Sequence, residues 1–103
     1  MNAANWTTAD FRAWLAAHTH MAHVGYSDSV TGCPLAAWRR DLGESVAIGQ
    51  PLIWVDTGHE EAMPAWVEQF VSELDARHMV AGEYLVEPVT ARECLRVLGE
   101  VVA

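Results

Sequence analysis

The sequence predicts an α+β fold, with about four helices packed on a small two- to three-stranded antiparallel sheet. Four stretches carry apolar residues at helical spacing, and the hydrophobic period changes after Gly43, where two short β-branched runs follow. A chain of 103 residues that is 51% hydrophobic can bury one core. We find no repeat or internal linker, so residues 1–103 are expected to form a single compact domain.

Local end signals place the four helices. Thr7 followed by Asp10 resembles a capping box, and Thr90 with Glu93 matches the full motif. Pro34 suits the first position of a helix, where its missing N–H is no loss. The predicted helices cover residues 8–18, 34–42, 64–77 and 90–99. Their expected inward-facing residues are Phe11, Trp14, Leu15 and His18, then Leu35, Trp38 and Leu42, then Val67, Phe70, Val71 and Leu74, then Ala91, Cys94, Leu95 and Leu98.

Short β-branched runs predict the strands. Two are expected at 45–48 and 52–55, bounded by turn residues at 49–51 and 56–58. A third strand is expected at 83–87. The His-Glu-Glu stretch at 59–61 is expected to form an acidic loop.

The charge is unevenly distributed. The chain has a net charge of −8, all six basic residues are arginine, and residues 56–103 hold ten acidic residues against three arginines. A field of this sign repels phosphates and attracts basic surfaces. Direct nucleic-acid binding is therefore not expected, and a protein with a basic surface is the expected partner, which could itself bind nucleic acid. The same charges could instead only keep a small domain soluble.

The sequence also favours a cytoplasmic location. No apolar run approaches the ~20 residues that span a bilayer, and the first residues lack the basic and apolar regions of an export signal. Two cysteines are too few for a disulfide framework. No contact with a membrane is expected, and the sequence does not indicate an oligomeric state.

The first functional hypothesis is a non-enzymatic interaction protein. The helical spacing places Glu68, Glu73 and Asp75 on the outer face of the third helix, and these carboxylates and those of the flanking segments would steer association with a basic surface. Tryptophan is favoured at interface hot spots, and Trp66 lies beside the apolar stripe of that helix, where it could serve as an anchor. The candidate partner-binding residues are Glu60, Glu61, Glu68, Glu73, Asp75, Glu83 and Trp66.

The second hypothesis is a small-ligand or thiol-dependent enzyme built on the loop before the second helix. Cys33 precedes Pro34 and is thereby placed at a helix start, where backbone N–H groups can favour a thiolate or bind an anion. A packed or capping cysteine is the simpler interpretation. The residues of this alternative site are Tyr26, Ser27, Ser29, Thr31, Cys33 and Trp38.

Neither a metal nor a cofactor is predicted. His18, His20 and His23 are imidazoles that could ligate a transition metal, but a helical site would need spacing of four residues. Histidines at a helix C-terminus also suit the helix dipole. The His59, Glu60 and Glu61 set lies in an expected exposed loop, which does not separate carboxylate pKa values for acid–base catalysis.

Several motifs resemble those of small uncharacterised proteins of high-GC bacteria and their phages, over most of the chain. The most specific is Ser29-x-x-x-Cys33-Pro34-Leu35-Ala36. The others are Phe11-x-x-Trp14-Leu15, Pro64-x-Trp66-x-x-x-Phe70-Val71-x-x-Leu74-Asp75 and Thr90-Ala91-x-x-x-Leu95-Arg96-x-Leu98-Gly99. This resemblance implies a prokaryotic or phage origin and carries no activity. In size and charge, rather than in motif, the chain is also similar to phage inhibitors of host defence, including anti-CRISPR proteins.

Overall fold

The computed structural model describes residues 3–49, 52–55 and 59–101 and has the predicted α+β class. The helices are α1 (Thr8–Ala16), α2 (Pro34–Asp41), α3 (Ala65–Ala76) and α4 (Ala91–Val101), preceded by a 3-10 turn (Ala3–Asn5). The strands are β1 (His23–Tyr26), β2 (Val46–Gly49), β3 (Leu52–Val55), β4 (Glu60–Ala62), β5 (Met79–Val80), β6 (Glu83–Tyr84) and β7 (Pro88–Thr90). Of the turn predicted at 49–51, Gly49 is the last residue of β2; residues 50–51, and the turn predicted at 56–58, lie outside the described residues.

Among the described residues, the strands form three small antiparallel sheets. The largest has the order β2-β3-β4, with Val46 opposite Val55 and Leu52 opposite Ala62. A second sheet joins β1 to β7, and a third is the β5–β6 hairpin. The predicted pair at 45–48 and 52–55 is confirmed, one residue late for β2.

The predicted acidic loop at 59–61 is wrong, because β4 occupies most of it. Glu60 lies opposite Trp54, and the indole Nε1 of Trp54 donates to Glu60 Oε1 at 3.0 Å. Glutamate has a low β propensity, and this cross-strand pair helps to hold the consecutive residues Glu60 and Glu61 in a strand.

The strand predicted at 83–87 is shorter and differently paired. Only Glu83–Tyr84 is strand, and its partner is β5, six residues or fewer upstream. The Leu85 N–H still donates to the His78 carbonyl across the hairpin, at 2.9 Å, and the following residues lead into β7, which pairs with β1, more than 60 residues earlier in the sequence. The strand β1 had no local signal, because its stability depends on this distant partner.

The helices follow the predicted stripes. Thr7 caps α1, its hydroxyl accepting the Asp10 N–H at 3.1 Å, as predicted. The predicted inward residues are buried or half-buried apart from Leu42, which is 59% exposed because α2 ends at Asp41. At α4, Thr90 accepts the Glu93 N–H at 3.1 Å, but the Glu93 carboxylate bonds to His78 instead of completing the capping box.

The core is centred on an aromatic cluster. Phe11 is fully buried, 5.1 Å from Trp38 and 5.1 Å from Phe70 between ring centroids, the latter edge-to-face. Trp6 packs on Trp38 at 5.8 Å, and the Arg39 guanidinium lies over both indoles. These contacts hold α1, α2 and α3 together, and Trp14 and Trp66 also pack on Phe11, so four of the five tryptophans belong to this cluster.

One strained turn offers a test of the hairpin. Ala81 and Gly82 both have positive φ, 53° and 83°, the combination of a type I′ turn that favours Asn-Gly. Ala81→Asn should therefore stabilise the fold by ~0.5–1 kcal/mol and raise Tm by a few degrees. Ala81→Val should lower Tm, because a β-branched side chain fits this backbone poorly. Equal melting temperatures for both variants in calorimetry would contradict the strain.

Candidate functional site

A cleft opens between the β1–α2 loop, α3 and the β5–β6 hairpin. It has a volume of about 260 Å³. Its lining combines two carboxylates, two hydroxyls, a tyrosine and an apolar floor. These residues are Asp28, Ser29, Val30, Cys33, Ile48, Gly49, Val71, Ser72, Asp75 and Tyr84. Two members of the predicted loop site, Ser29 and Cys33, and one of the predicted acidic residues, Asp75, therefore meet at one place.

Close backbone contact gives the loop its shape. The Tyr26 N–H donates to the Gly32 carbonyl at 2.8 Å, which brings the two ends of the loop together. A Cβ on Gly25 would lie 2.7 Å from Pro34 N and 2.8 Å from Gly32 O, so only glycine fits there. Inside the loop, the Ser29 hydroxyl accepts the Gly32 N–H at 3.0 Å. The Gly/Ser/Thr composition is thus a requirement of a tight turn.

The helical pattern predicted that Asp75 points into solvent. Its side chain instead joins α3 to this loop. Its Oδ1 accepts the Asp28 N–H at 2.9 Å, where Asp28 has a left-handed φ of 48°. Burial raises the pKa of the Asp75 carboxyl, and the N–H of Asp28 acts in the opposite direction. The cleft therefore holds one half-buried carboxylate and one exposed carboxylate, Asp28.

Ser27 is a structural residue of the loop. Its side chain is fully buried, and its hydroxyl donates to the Leu85 carbonyl at 2.7 Å and accepts the Glu87 N–H at 3.0 Å. Its own N–H donates to the Glu87 carbonyl at 2.9 Å. Ser27 ties the loop to the base of the hairpin and is not open to a ligand.

The other residues of the alternative site are divided between the surface and the core. Tyr26 is half exposed beside the loop, and the Thr31 carbonyl accepts a hydrogen bond from Arg40. Trp38 lies in the aromatic cluster, away from the residues that line the cleft. The loop therefore contributes a wall and a floor to the cleft but no set of convergent catalytic side chains.

Cys33 does not have the activated thiol that its helix-start position suggested. It is the N-cap residue of α2, as expected, but it is buried. Burial raises the pKa of Cys33 to about 11, although the N–H groups of Ala36 and Leu35 act in the opposite direction. Burial likewise raises the pKa of Cys94 to about 12. Desolvation of the thiolate outweighs the helix terminus here.

Both cysteines should consequently resist a maleimide in the native protein at pH 7, and react only on unfolding. At a pKa of about 11, on the order of one Cys33 thiol in 10,000 is ionised at neutral pH. The measurement is the rate of labelling, followed by mass spectrometry, with the same protein in denaturant as the control. Rapid native labelling of Cys33 alone would contradict the buried thiol and favour thiol chemistry.

The predicted acidic residues differ in their exposure. Glu68 and Glu73 are exposed on α3, and Glu73 Oε1 lies 3.6 Å from Arg77 Nη2. Glu83 is exposed in the hairpin, and Glu60 is exposed on β4. Glu61, however, is largely buried, and one of its carboxylate oxygens accepts the Ala3 N–H. The alternation of a strand turns Glu61 inward where Glu60 faces out.

The predicted anchor, Trp66, packs into the molecule. It is half-buried, its ring lies 5.9 Å from Phe11, and its Nε1 donates to the Trp6 carbonyl at 3.2 Å. Among the described tryptophans the most exposed is Trp54, whose indole N–H bonds to Glu60. The sequence pattern did not distinguish a tryptophan at the edge of the core from one on the surface.

The most exposed apolar segment was not predicted. Val80 is 60% exposed, Tyr84 52% and Val86 61%, and Met79 and Leu85 are also exposed. We call the segment 79–86 the apolar hairpin. Tyr84 lines the cleft, which places the apolar hairpin beside Asp28 and Asp75. The β-branched composition around residue 80 was the available signal, but it does not distinguish exposed strands from buried ones.

No group of three or more His, Cys, Asp or Glu side chains within the described ranges could hold a metal ion. His18 bonds through Nδ1 to the Trp14 carbonyl at 2.8 Å and packs on the Trp14 ring. His20 and His23 are exposed. All three histidines lie after α1, which ends at Ala16, and His23 is the first residue of β1.

His78, which the sequence did not single out, contacts two carboxylates. Its Nδ1 lies 2.9 Å from Glu87 Oε1, and its Nε2 lies 3.0 Å from Glu93 Oε1. Burial alone would lower the pKa of His78, but the bonds to Glu87 and Glu93 outweigh it and raise the pKa above 6.5. The protonated ring, with a proton on both nitrogens, satisfies both carboxylates. His78 thereby links the end of α3 to the start of α4.

The raised pKa predicts a pH-dependent stability. The contribution of His78 is fully present below the unfolded value of 6.5 and is lost as the pH rises through the higher folded value. The free energy of unfolding should therefore fall across that window, and His78→Gln should flatten the fall. His20→Gln, at an exposed histidine, is the control. Parallel profiles for wild type and His78→Gln in denaturant titrations would refute the linkage.

No helix in the described part of the chain is long and apolar enough to cross a membrane. No protein-family model, no curated protein and no solved structure matches this chain.

Proposed function

We propose that this protein is a small non-enzymatic binding protein that occupies a basic surface of a partner protein, through the apolar hairpin and the adjoining cleft. The observation that carries the proposal is the exposure of the apolar hairpin. Five large apolar side chains are exposed within eight consecutive residues, namely Met79, Val80, Tyr84, Leu85 and Val86. Exposed apolar side chains concentrated in one short segment of a small domain are typical of a protein-interaction site.

The surrounding charge supports a basic partner. Asp28 and Asp75 line the cleft beside Tyr84, and Glu83 is exposed within the hairpin itself. The long-range field is negative as well, since residues 56–103 carry ten acidic residues against three arginines. Glu68 and Glu73 on α3 would contribute to steering, which acts mainly on the association rate.

Tyr84 is the proposed anchor in place of Trp66. It combines a half-exposed ring with a position at the mouth of the cleft, and tyrosine is enriched at interface hot spots. The cleft itself, at about 260 Å³, lies below the ~300–1,000 Å³ of pockets that hold drug-sized ligands. Its size and its two carboxylates suit a single arginine or lysine side chain of the partner better than a free metabolite.

The similarity in size and charge to phage inhibitors of host defence, which is not a similarity of motif, suggests a narrower form of the proposal. A basic partner surface is typical of nucleic-acid-binding proteins, and an acidic occupant competes there with phosphates. In this form the chain is an inhibitor or regulator of such a partner, in the manner of phage anti-defence proteins, including anti-CRISPR proteins.

A matched pair of variants tests the proposal. Val80→Ser with Tyr84→Ser removes two exposed side chains of the apolar hairpin, at 60% and 52%, while Met21→Ser with Leu42→Ser removes comparably exposed ones elsewhere, at 68% and 59%. Each tagged variant is used to capture proteins from a bacterial lysate at low and high salt. We expect the hairpin variant alone to lose the wild-type partner, and high salt to weaken capture. Equal capture of the partner by both variants, or capture that does not change with salt concentration, would overturn the proposal.

The thiol-dependent enzyme is the weaker alternative. It needs an ionised Cys33, and burial raises the pKa of that thiol to about 11.

A further inference from the structure

We propose that this acidic protein also has a phosphate-binding site, formed by Arg92 and Arg96 of α4 together with Arg77. All three guanidinium-bearing residues line one shallow depression of about 420 Å³, together with Met21, Thr90 and Glu93. The site shares none of its lining with the cleft and does not depend on the proposed function.

The two central arginines are not explained by pairing within the fold. Arg92 and Arg96 are exposed, four residues apart on α4, and thus project from one face of the helix. Within the described part of the chain neither guanidinium has an ion-pair or hydrogen-bond partner. In a chain with 14 acidic residues and six basic ones, unpaired arginines side by side are unexpected.

The position of Arg92 on the helix is also unfavourable without an anion. Arg92 is the second residue of α4, where the positive end of the helix dipole disfavours a cation by ~0.3–1 kcal/mol. A bound oxyanion would offset this unfavourable interaction, because its negative charge is attracted both to the guanidinium groups and to the positive end of the helix dipole. One guanidinium group can also donate two parallel hydrogen bonds to two oxygens of the same phosphate.

The helix backbone itself is not the ligand. The Ala91 and Arg92 N–H groups donate to the carbonyls of Ala22 and His20, each at 2.9 Å, and the Glu93 N–H donates to Thr90. The first amides of α4 are therefore occupied, and the oxyanion must be held by side chains.

The acidic residues at the depression are already engaged. Glu93 bonds through both carboxylate oxygens to His78 Nε2, at 3.0 and 3.1 Å. Arg77 contacts Glu100 and lies 3.6 Å from Glu73, which leaves it a supporting role. The remaining negative field is screened over about 8 Å at physiological salt, so the local pair of arginines dominates at contact distance.

The ligand class is a doubly charged tetrahedral oxyanion, a phosphate group. The depression is open and shallow, so the phosphate would be presented by a small ligand rather than enclosed. A nucleic-acid strand is disfavoured, since its other phosphates would meet the acidic surface of residues 56–103.

The test is a titration of the ¹⁵N-labelled protein with inorganic phosphate at constant ionic strength, followed by NMR. We expect saturable shifts at the amides and Nε–H groups of Arg92 and Arg96, with Kd of ~1 mM or tighter. The double variant Arg92→Gln, Arg96→Gln should bind at least tenfold more weakly, whereas Arg12→Gln, at an exposed arginine of α1, should bind as wild type does. Acetate at the same ionic strength should give no saturation.

Other outcomes would overturn the site. Linear, unsaturated shifts, or equal responses to phosphate and acetate, would mean general charge screening. Unchanged binding in the double variant would mean that phosphate binds elsewhere. The variant Arg92→Lys, Arg96→Lys keeps both charges and should bind more weakly than wild type but better than the glutamine pair. None of these outcomes depends on a protein partner, so this test and the test of the proposed function can fail separately.

Discussion

Replacing Phe11 with alanine should destabilise the protein by about 3–5 kcal/mol, the largest effect that we expect from a single substitution. Phe11 is fully buried, and its ring lies within about 6 Å of those of Trp38, Trp66 and Phe70. The substitution leaves a cavity where α1, α2 and α3 meet. Because domains of this size are stable by only ~5–15 kcal/mol, a large share of the unfolding free energy would be lost.

The measurement is urea unfolding followed by circular dichroism. Phe11→Leu, which keeps most of the volume but loses the edge-to-face contact with Phe70, should cost clearly less than alanine. If alanine and leucine cost the same, or if alanine costs less than ~1 kcal/mol, the cluster is not the centre of the core.

Adding one methyl group at Gly25 should be the most damaging change near the cleft. The added Cβ would lie 2.7–2.9 Å from Pro34 N, Gly32 O and Cys33 C, which are all backbone atoms. None of them can move without reshaping the loop, so Gly25→Ala should reach or exceed the upper end of the ~1–3 kcal/mol typical of overpacking. The variant should also weaken partner binding, because the loop forms one wall of the cleft.

Gly99→Ala is the matched control. Gly99 lies within α4, and a Cβ there meets no atom within 4 Å in the described structure. This variant should be more stable than wild type by ~0.5–1 kcal/mol, since alanine favours the helix. If both glycine variants change the midpoint of thermal unfolding in the same direction, the close approach at Gly25 does not govern the loop.

Features encoded within one stretch of sequence could be predicted. The cap at Thr7 and the stripe that begins at Phe11 lie within a few residues of one another, and both are confirmed. The pairing of Tyr26 with Pro88 could not be predicted, because it joins segments with no shared local pattern. Glu60 was assigned to a loop for the same reason, since its strand depends on β3.

The candidate site shows the same division. The sequence placed Cys33 at a helix start, but its pKa depends on the residues that bury it, and those come from other elements. The helical pattern predicted that Asp75 faces outward. Its carboxylate accepts a hydrogen bond from the Asp28 N–H, which the distant β1–α2 loop brings to it. The exposure of Tyr84 and Val80 depends on what the rest of the fold leaves uncovered.

The hydrogen bonds of Ser27 have a consequence for how the binding surface moves. Its buried hydroxyl joins the loop to Leu85 and Glu87, some 60 residues away, so neither segment can open without breaking contacts of the other. Amide protons on both sides should therefore exchange with solvent as one cooperative unit. A partner would meet a preorganised surface, and little conformational entropy would be lost on association.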